Sequence, residues 1–229
     1  MAEGTAAFEA VVRGLRAPGF ARPSSLPGWN RAHVVAHVAR NADAIGNLLT
    51  WARTGVETPM YADAEQRAKE IEASAGQQVT VLRTDLRVAH ERLAMAFTEL
   101  PDEAWEAVVR TARGRQVHAS EVPWMRLREV WVHTVDLASE TAFDAVPREV
   151  CAALVDDVAA TFATRTDVPP VELRAQDSGR AWVLGVPGAE KPTVVGGDLH
   201  SLAAYATGRP VPGPLHCAHG SVPTLPAWL

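Results

Sequence analysis

Two short segments of the sequence place side chains that bind metals at helical spacing. Glu129 and His133 are four residues apart, so on an α-helix they project from one face and can close on a single point. His37, nearly a hundred residues earlier, can add a third ligand from a facing helix. One carboxylate and two imidazoles suit a divalent metal, and three protein ligands leave a position open for water, substrate or thiolate. An open position indicates chemistry rather than a structural metal.

The same residues also have simpler explanations. A solvated helix face with ordinary charges would carry Glu129 and His133 equally well. His37 favours the metal interpretation, because a histidine on a largely apolar helix needs a partner for its ring nitrogens. The leading alternative for His33 is a buried structural histidine bonded to a carbonyl group. Asp136 is either a residue that supports His133 from behind or a surface acid.

Other catalytic motifs find no support in the sequence. His33 and His37 match the two histidines of a HExxH metalloprotease helix, but Val34 stands where the general-base glutamate belongs. The sequence contains no GxSxG elbow, Walker A loop or GxGxxG turn. Hydrolase-triad, nucleotide and dinucleotide chemistry are therefore not indicated.

Composition limits the class of partner. The 229 residues are 47% apolar with a net charge of −5, which is typical of a folded soluble protein. No basic stripe with interleaved aromatic residues occurs, so we expect small-molecule partners and no nucleic acid. The first twenty residues do not resemble a signal peptide, and no apolar run reaches the roughly 18 residues of a membrane span, which predicts a cytoplasmic protein without a membrane partner. Cys151 and Cys217 form neither a CxxC pair nor a disulfide framework, so a reactive sulfur would come from outside.

Hydrophobic periodicity predicts a helical region followed by a smaller mixed region. A helix that Asn30 caps and that runs to about Arg53 is apolar almost all round, so it should be central and buried. Together with three further principal helices it would form a bundle; these are expected over 77–100, 123–141 and from Pro147 to 166. Shorter helices are predicted over 6–15 and 62–73, and a loop or short hairpin over 111–123.

The pattern changes at Pro170. Short strands over 171–175, 181–186 and 193–195 precede a helix over 199–207 that Gly208 would end. We therefore predict an α+β fold, with a helical domain over 1–166 and a small α/β domain over 167–229.

Three further residues are candidates for binding charged groups. Arg40 and Asn41 lie one turn beyond His37 and could face an anionic ligand, although Arg40 could instead pair with Asp43. Arg209 follows a short helix and a glycine, where its guanidinium could grip a carboxylate with two hydrogen bonds. A plain surface arginine explains Arg209 as well.

Several segments resemble the mycothiol-dependent maleylpyruvate isomerases of actinobacteria. They occur in the order that this family has and extend over almost the whole chain, at 26–43, 48–61, 126–137 and 202–209. The resemblance implies a DinB-like four-helix bundle and a small C-terminal α/β domain. It also implies zinc held by His37, Glu129 and His133, with Arg209 at the C-terminal arginine that the family uses near its active site.

The same resemblance implies an activity. The family isomerises maleylpyruvate to fumarylpyruvate in gentisate breakdown, with the low-molecular-weight thiol mycothiol as cofactor. Two alternatives stay open: an S-transferase that adds a thiol to another electrophile, and a non-catalytic metal-binding module. The ligand set also suits iron, nickel or cobalt, and the oligomeric state is open, with a monomer as one option.

Overall fold

The computed structural model describes residues 1–186, 188, 191–217 and 220–228. The α-helices in those residues are α1 (Ala2–Gly14), α2 (Arg31–Thr54), α3 (Ala64–Ala75), α4 (Val79–Thr98), α5 (Val122–Asp136), α6 (Arg148–Phe162) and α7 (Leu199–Ala206). The strands are β1 (Val108–Arg110), β2 (Gln116–His118), β3 (Val171–Ala175), β4 (Ala181–Leu184), β5 (Thr193–Gly197) and β6 (His216–Cys217). The chain divides into two compact units, Met1–Ser139 and Glu140–Leu229.

Helix α2 is the central element of the first unit. It begins with a capping box, in which the Asn30 side chain accepts the backbone N–H of His33 and the His33 ring bonds the Asn30 backbone. It ends at Gly55, whose φ of 71° is left-handed. The helix packs against α3, α4, α5 and β1, and its apolar side chains are buried on nearly every face. The prediction of a central, buried helix is confirmed.

The bundle of the first unit consists of α1, α2, α4 and α5. Helix α2 packs on α4 and α5, while α1 packs on α5 and α4 through the fully buried Phe8 and the nearly buried Val12. We expected the helix after Pro147 as a principal bundle helix and treated 6–15 as a minor one. In the structure the first helix is longer, begins at Ala2 and takes that place.

The second unit is a small four-stranded sheet with two helices. Its strand order is β4-β3-β5-β6, with β3 and β5 parallel and the other pairs antiparallel. Helix α6 packs against α7 and β4, and α7 packs against β3 and β5. Helix α6 therefore groups with the sheet, whereas the sequence placed residues 140–166 with the bundle. Its buried stripe, which includes Leu154, Val158 and Phe162, serves this second core.

The predicted α+β class is confirmed, and the differences are local. Helix α5 ends at Asp136 rather than near Thr141, because Ala138 takes a left-handed φ of 47° that stops the helix. The polar segment before α5 forms a hairpin of β1 and β2. No helix among the described residues is long and apolar enough to cross a membrane.

Close packing between α1 and α5 depends on Gly4. A Cβ atom at this position would lie 2.8 Å from both Trp131 Nε1 and Val130 Cγ2, which is too close for either buried side chain. We expect Gly4→Ala to reduce the free energy of unfolding by about 1–3 kcal/mol, through overpacking.

Gly46→Ala is the matched control in urea denaturation. Gly46 lies inside α2 with no neighbouring atom within 4 Å of its added Cβ, so this variant should be more stable by about 0.5–1 kcal/mol. Equal effects of the two substitutions would contradict the packing of α1 on α5.

Candidate functional site

His37, Glu129 and His133 lie together between α2 and α5. The Glu129 Oε2 atom is 3.1 Å from His37 Nε2 and 3.3 Å from His133 Nε2. The two imidazole rings are nearly perpendicular, with centroids 4.7 Å apart. One potential ligand atom from each residue lies within 4.8 Å of the other two. We call these three residues the His–Glu–His cluster; its atoms converge closely enough to share one ion.

Local sequence explains how each helix presents its part of the cluster. Pro123 stands in the first turn of α5, where its missing N–H has no cost, and the helix then carries Glu129 and His133 on one face. On α2 the capping box sets the start of the helix, and His37 follows one turn after His33. His37 is only 5% exposed and lies beside Trp29, with ring centroids 5.5 Å apart.

Asp136 orients the imidazole of His133. Its Oδ2 atom is 2.9 Å from His133 Nδ1, and its side chain is fully buried. A carboxylate at Nδ1 holds the proton there and turns Nε2 toward the cluster. Of the two explanations that the sequence allowed for Asp136, the structure therefore supports the residue behind His133 and not the surface acid.

The surroundings of the cluster lower the pKa of Glu129 and raise that of His133. Burial alone would raise the pKa of Glu129, but hydrogen bonds from His133 and His37 outweigh it and hold that pKa well below its ordinary value. Burial opposes the charged form of His133 too, yet the hydrogen bonds to Asp136 and Glu129 raise its pKa to about 9. Glu129 is therefore an anion at neutral pH, as a metal ligand must be.

The pKa of His37 is shifted in the opposite direction from that of His133. Burial, reinforced by the charges of His133 and Arg67, lowers its pKa to about 4 despite its hydrogen bond to Glu129. A neutral imidazole at neutral pH is the form that binds metals. The cluster thus combines a carboxylate with an imidazole that needs no deprotonation.

A buried arginine that the sequence analysis gave no role lies behind the cluster. Arg126 is fully buried and donates from NH1 to the Val38 carbonyl at 2.9 Å and to Asn41 Oδ1 at 2.7 Å. Burial lowers its pKa to about 10, while the charge of Glu129 acts in the other direction. One turn before Glu129 on α5, it joins that helix to α2. The sequence signal for it was its place three residues before Glu129, on the face of the helix that carries Glu129 and His133.

Arg67 and Tyr61 are two further neighbours that sequence reasoning missed. Arg67 NH2 lies 3.2 Å from His37 Nδ1, and its guanidinium carbon lies 5.6 Å from the centroid of the Tyr61 ring. Burial raises the pKa of Tyr61, so its hydroxyl stays protonated at neutral pH. Tyr61 ends the segment 48–61 of the family resemblance, which assigned it no role, and only the packing of α3 on α2 brings Arg67 to the cluster.

Arg40 and Asn41 hold positions within the bundle. Arg40 forms ion pairs with Asp85 at 2.6 Å and Asp43 at 3.3 Å, so the alternative that the sequence left open, pairing with Asp43, occurs in the structure. Asn41 is buried and accepts the hydrogen bond from Arg126. Their expected contact with an anionic ligand stays a prediction.

His33 and Arg209 are not among the three residues of the cluster. The leading alternative for His33 was a buried histidine bonded to a carbonyl group. The structure instead shows a half-buried residue, whose ring contacts the Asn30 side chain and lies 3.0 Å from Glu72 at the surface. Arg209 belongs to the second unit, just after α7 and Gly208, whose φ is 72°. Its NH1 donates to the Thr207 carbonyl at 2.6 Å. A catalytic role for Arg209 stays a prediction.

Comparison with known proteins identifies the family of this chain. Residues 1–138 match the family described as the mycothiol maleylpyruvate isomerase N-terminal domain, and this span is more than half of the chain and contains the whole His–Glu–His cluster. The chain belongs to this family. The resemblance noted from the sequence segments is thereby confirmed.

Solved structures support membership of the mycothiol maleylpyruvate isomerase family. A crystal structure described as the mycothiol-dependent maleylpyruvate isomerase has a TM-score of 0.93 and 35% identity, over 99% of this chain and 93% of that one. A histidine-to-alanine mutant of that isomerase matches with the same values. Two uncharacterized proteins of Mycobacterium tuberculosis are 29% identical over 138 residues, which are 57% of this chain. The chain spans about half the length of these curated relatives, 51% in each case.

This member of the mycothiol maleylpyruvate isomerase family has two cysteines, Cys151 and Cys217. Cys151 is fully buried in α6, and burial raises the pKa of its thiol to about 12. Cys217 lies in β6. Both are free and both belong to the second unit. Neither is part of the cluster, which agrees with a sulfur atom supplied by a cofactor.

The opposite shifts of the two cluster histidines predict a pH optimum for the stability of the metal-free protein. Because the pKa of His37 is lowered to about 4, this residue contributes fully to the free energy of unfolding above pH 6.5. That contribution is lost as the pH falls toward 4. Because the pKa of His133 is raised to about 9, its contribution is complete below pH 6.5 and is lost as the pH rises through 9. Urea denaturation with a chelator present should show a maximum near pH 6.5, with an alkaline decrease on the order of 3 kcal/mol.

Asp136→Asn should flatten the alkaline side of that profile, since the amide cannot stabilise a charged imidazole as the carboxylate does. Asp102→Asn removes an exposed acid as the control and should leave the profile unchanged. An alkaline decrease of the same size in Asp136→Asn would show that Asp136 does not govern the protonation of His133.

Proposed function

We propose that the protein catalyses the mycothiol-dependent isomerisation of maleylpyruvate to fumarylpyruvate, with a divalent metal ion held by His37, Glu129 and His133. The observation that carries the proposal is the open cluster of three ligand atoms within 4.8 Å, in a chain that matches an isomerase structure over almost its whole length. A fourth coordination position on the metal ion would remain for the thiol.

The chemistry of the donor set supports a divalent ion. Two imidazole nitrogens and one carboxylate oxygen are the ligand types of open catalytic zinc sites. Glu129 is already ionised, His37 is neutral, and Asp136 lies behind His133 as carboxylates commonly do at metal-binding histidines. We propose zinc; iron, nickel and cobalt accept the same donors.

The proposed reaction needs a thiolate and a bond that can rotate. A divalent ion in the cluster would lower the pKa of a thiol that coordinates it, so that the thiolate is available at neutral pH. The thiol would supply a reversible nucleophile: addition of its sulfur to one alkene carbon, with the π electrons moving onto the conjugated carbonyl oxygen, would make the double bond single and free to rotate. Loss of the same thiolate would return those electrons and form the trans alkene, with no net oxidation.

The residues of the chain fix the geometry of this reaction. Asp136 and the helical spacing of Glu129 and His133 hold the ligands in one orientation, which lowers the entropy cost of bringing thiolate and alkene together. Arg209 is proposed to grip a carboxylate of the substrate or cofactor, and Arg40 and Asn41 to contact the cofactor. Small-molecule partners and a cytoplasmic location belong to the same proposal.

One assay tests the activity directly. Purified zinc-loaded protein is incubated with maleylpyruvate, with and without mycothiol, and the product is identified by its absorbance and by mass spectrometry. The isomer should form only with the thiol. A stable thioether in place of the isomer would indicate an S-transferase, and protein that binds no metal in stoichiometric amount would indicate a non-catalytic module.

Removal of a ligand should remove metal and activity together. We expect Glu129→Ala and His133→Ala to lose stoichiometric zinc, measured by mass spectrometry of the metal, and to lose activity by more than about hundredfold, since even indirect partners of a ligand matter tenfold or more. His33→Gln is the control, because it changes a histidine on α2 that lies one turn before His37 and bonds Asn30 and Glu72 instead. Full zinc content in His133→Ala would overturn the ligand assignment.

A further inference from the structure

Arg67 places a positive charge against the side of His37 that faces away from Glu129. The guanidinium donates to His37 Nδ1 at 3.2 Å, whereas His37 Nε2 faces Glu129 at 3.1 Å. The Tyr61 ring covers the guanidinium carbon at 5.6 Å. Arg67 is half-buried, so part of this residue remains open to solvent beside the cluster.

The charge of Arg67 is not neutralised by the fold. Other arginines of the bundle contact carboxylates: Arg40 contacts Asp85 at 2.6 Å, and Arg87 contacts Glu91 at 2.6 Å. In the described part of the chain, the side-chain partners found for Arg67 are His37 and Tyr61, and no carboxylate is among them. A half-buried cation without a carboxylate has an energetic cost that a bound anion would offset.

The sequence of α3 offers Arg67 local acids that it does not use. Asp63 and Glu70 lie at helical spacing on either side of it, four residues before and three after. Asp63 instead caps the helix by accepting the backbone N–H of Gln66, and Glu70 accepts from the Gln66 side chain. The guanidinium therefore points toward the cluster although a surface ion pair was within reach.

The contact between Arg67 and His37 is incompatible with metal binding through Nε2. Arg67 can donate to Nδ1 only while that nitrogen carries a lone pair. A neutral imidazole that coordinates a metal through Nε2 keeps its proton on Nδ1, so Nδ1 becomes a donor. With a metal bound at Nε2, Arg67 would therefore lose its acceptor on His37, and its donors would be available to another ligand beside the cluster.

A second cation near the cluster is placed differently. Arg126 is fully buried and bonds the Val38 carbonyl and Asn41, so a ligand cannot reach it without opening the bundle. Arg67, by contrast, combines contact with a residue of the cluster and partial exposure. Arg126 adds a fixed positive charge behind the cluster and Arg67 adds one at its edge, which favours an anionic ligand.

We propose that Arg67 binds a carboxylate of the substrate and makes the site selective for anionic electrophiles. This inference rests on the proposed isomerase function, whose substrate carries a carboxylate at each end. A guanidinium suits this role because its paired N–H groups match the two oxygens of a carboxylate. Tyr61 keeps the guanidinium at the edge of the site by stacking against it.

The test measures carboxylate binding without catalysis. Maleate, a small cis-dicarboxylate, is titrated calorimetrically into zinc-loaded protein in the absence of thiol. We expect wild-type protein to bind it, Arg67→Met to bind at least about tenfold more weakly and Arg67→Lys to fall between them, since a lysine keeps the charge but not the paired donors. The zinc affinity of Arg67→Met, measured by competition with a chelator, should equal or exceed that of the wild type.

Lys69→Met provides the matched control. It removes one positive charge from the same helix, but Lys69 is exposed and pairs with Glu65 at 2.6 Å. This variant should bind maleate like the wild type, which separates a direct contact from a general effect of net charge. Equal affinities of Arg67→Met and Lys69→Met, or the absence of maleate binding by wild-type protein, would overturn the inference.

Kinetics distinguish this inference from the proposed function. If the isomerase is active, Arg67→Met should raise the KM for maleylpyruvate at least about tenfold and change kcat much less, because the carboxylate contact exists before and during the reaction. If wild-type protein binds maleate through Arg67 but forms no isomer, the carboxylate site stands and the isomerase proposal fails. A fall in kcat at unchanged KM and unchanged maleate affinity would instead assign Arg67 no part in binding.

Discussion

The site depends on one buried contact, in which the Glu129 carboxylate meets the Nε2 atoms of His37 and His133 between two helices. A carboxylate with little access to water is stable only when charged or hydrogen-bonding groups surround it. Here two imidazoles supply those groups, and they are also the groups that bind metals. The same three side chains therefore satisfy the buried carboxylate in the folded protein and supply the ligand atoms for the ion that we propose.

The rest of the first unit holds those three side chains in place. Helix α2 is buried on most faces, so His37 cannot move without disturbing the core. Helix α5 is held against α1 by the absence of a side chain at Gly4, and against α2 by Arg126. Asp136 then fixes the ring of His133 from the end of the same helix. Rigid neighbours of this kind let a small open site keep its geometry while a ligand enters and leaves.

Charge is divided around the site by function. Glu129 belongs to the cluster and Asp136 contacts His133 at Nδ1, whereas Arg67 contacts His37 and the buried Arg126 lies three residues before Glu129 on α5. In the reaction that we propose, the ion and the thiolate would lie at the cluster and the anionic substrate would contact Arg67. Neither described cysteine is one of the three residues of the cluster, and the reaction that we propose takes its sulfur from a cofactor.

The amino-acid sequence by itself determined the features that depend on neighbours along the chain. The four-residue spacing of Glu129 and His133, the cap at Asn30 and the left-handed stop at Gly208 follow from local backbone geometry, and all three occur in the structure. Strands β3, β4 and β5 of the second unit were predictable for the same reason, whereas β6 was not predicted. Family motifs in the sequence also identified His37 as a partner, although 92 positions separate it from Glu129.

Only the tertiary structure decided which elements meet. Helix periodicity shows that a face is apolar but not which apolar face covers it, so the first helix replaced the expected fourth helix of the bundle and α6 joined the sheet. The same limit hid Arg67 and Arg126, since a charged residue inside a helical pattern looks like a surface residue until its neighbours are known. The contact of Arg67 with His37 arises from the packing of α3 on α2, and no spacing along the chain encodes it.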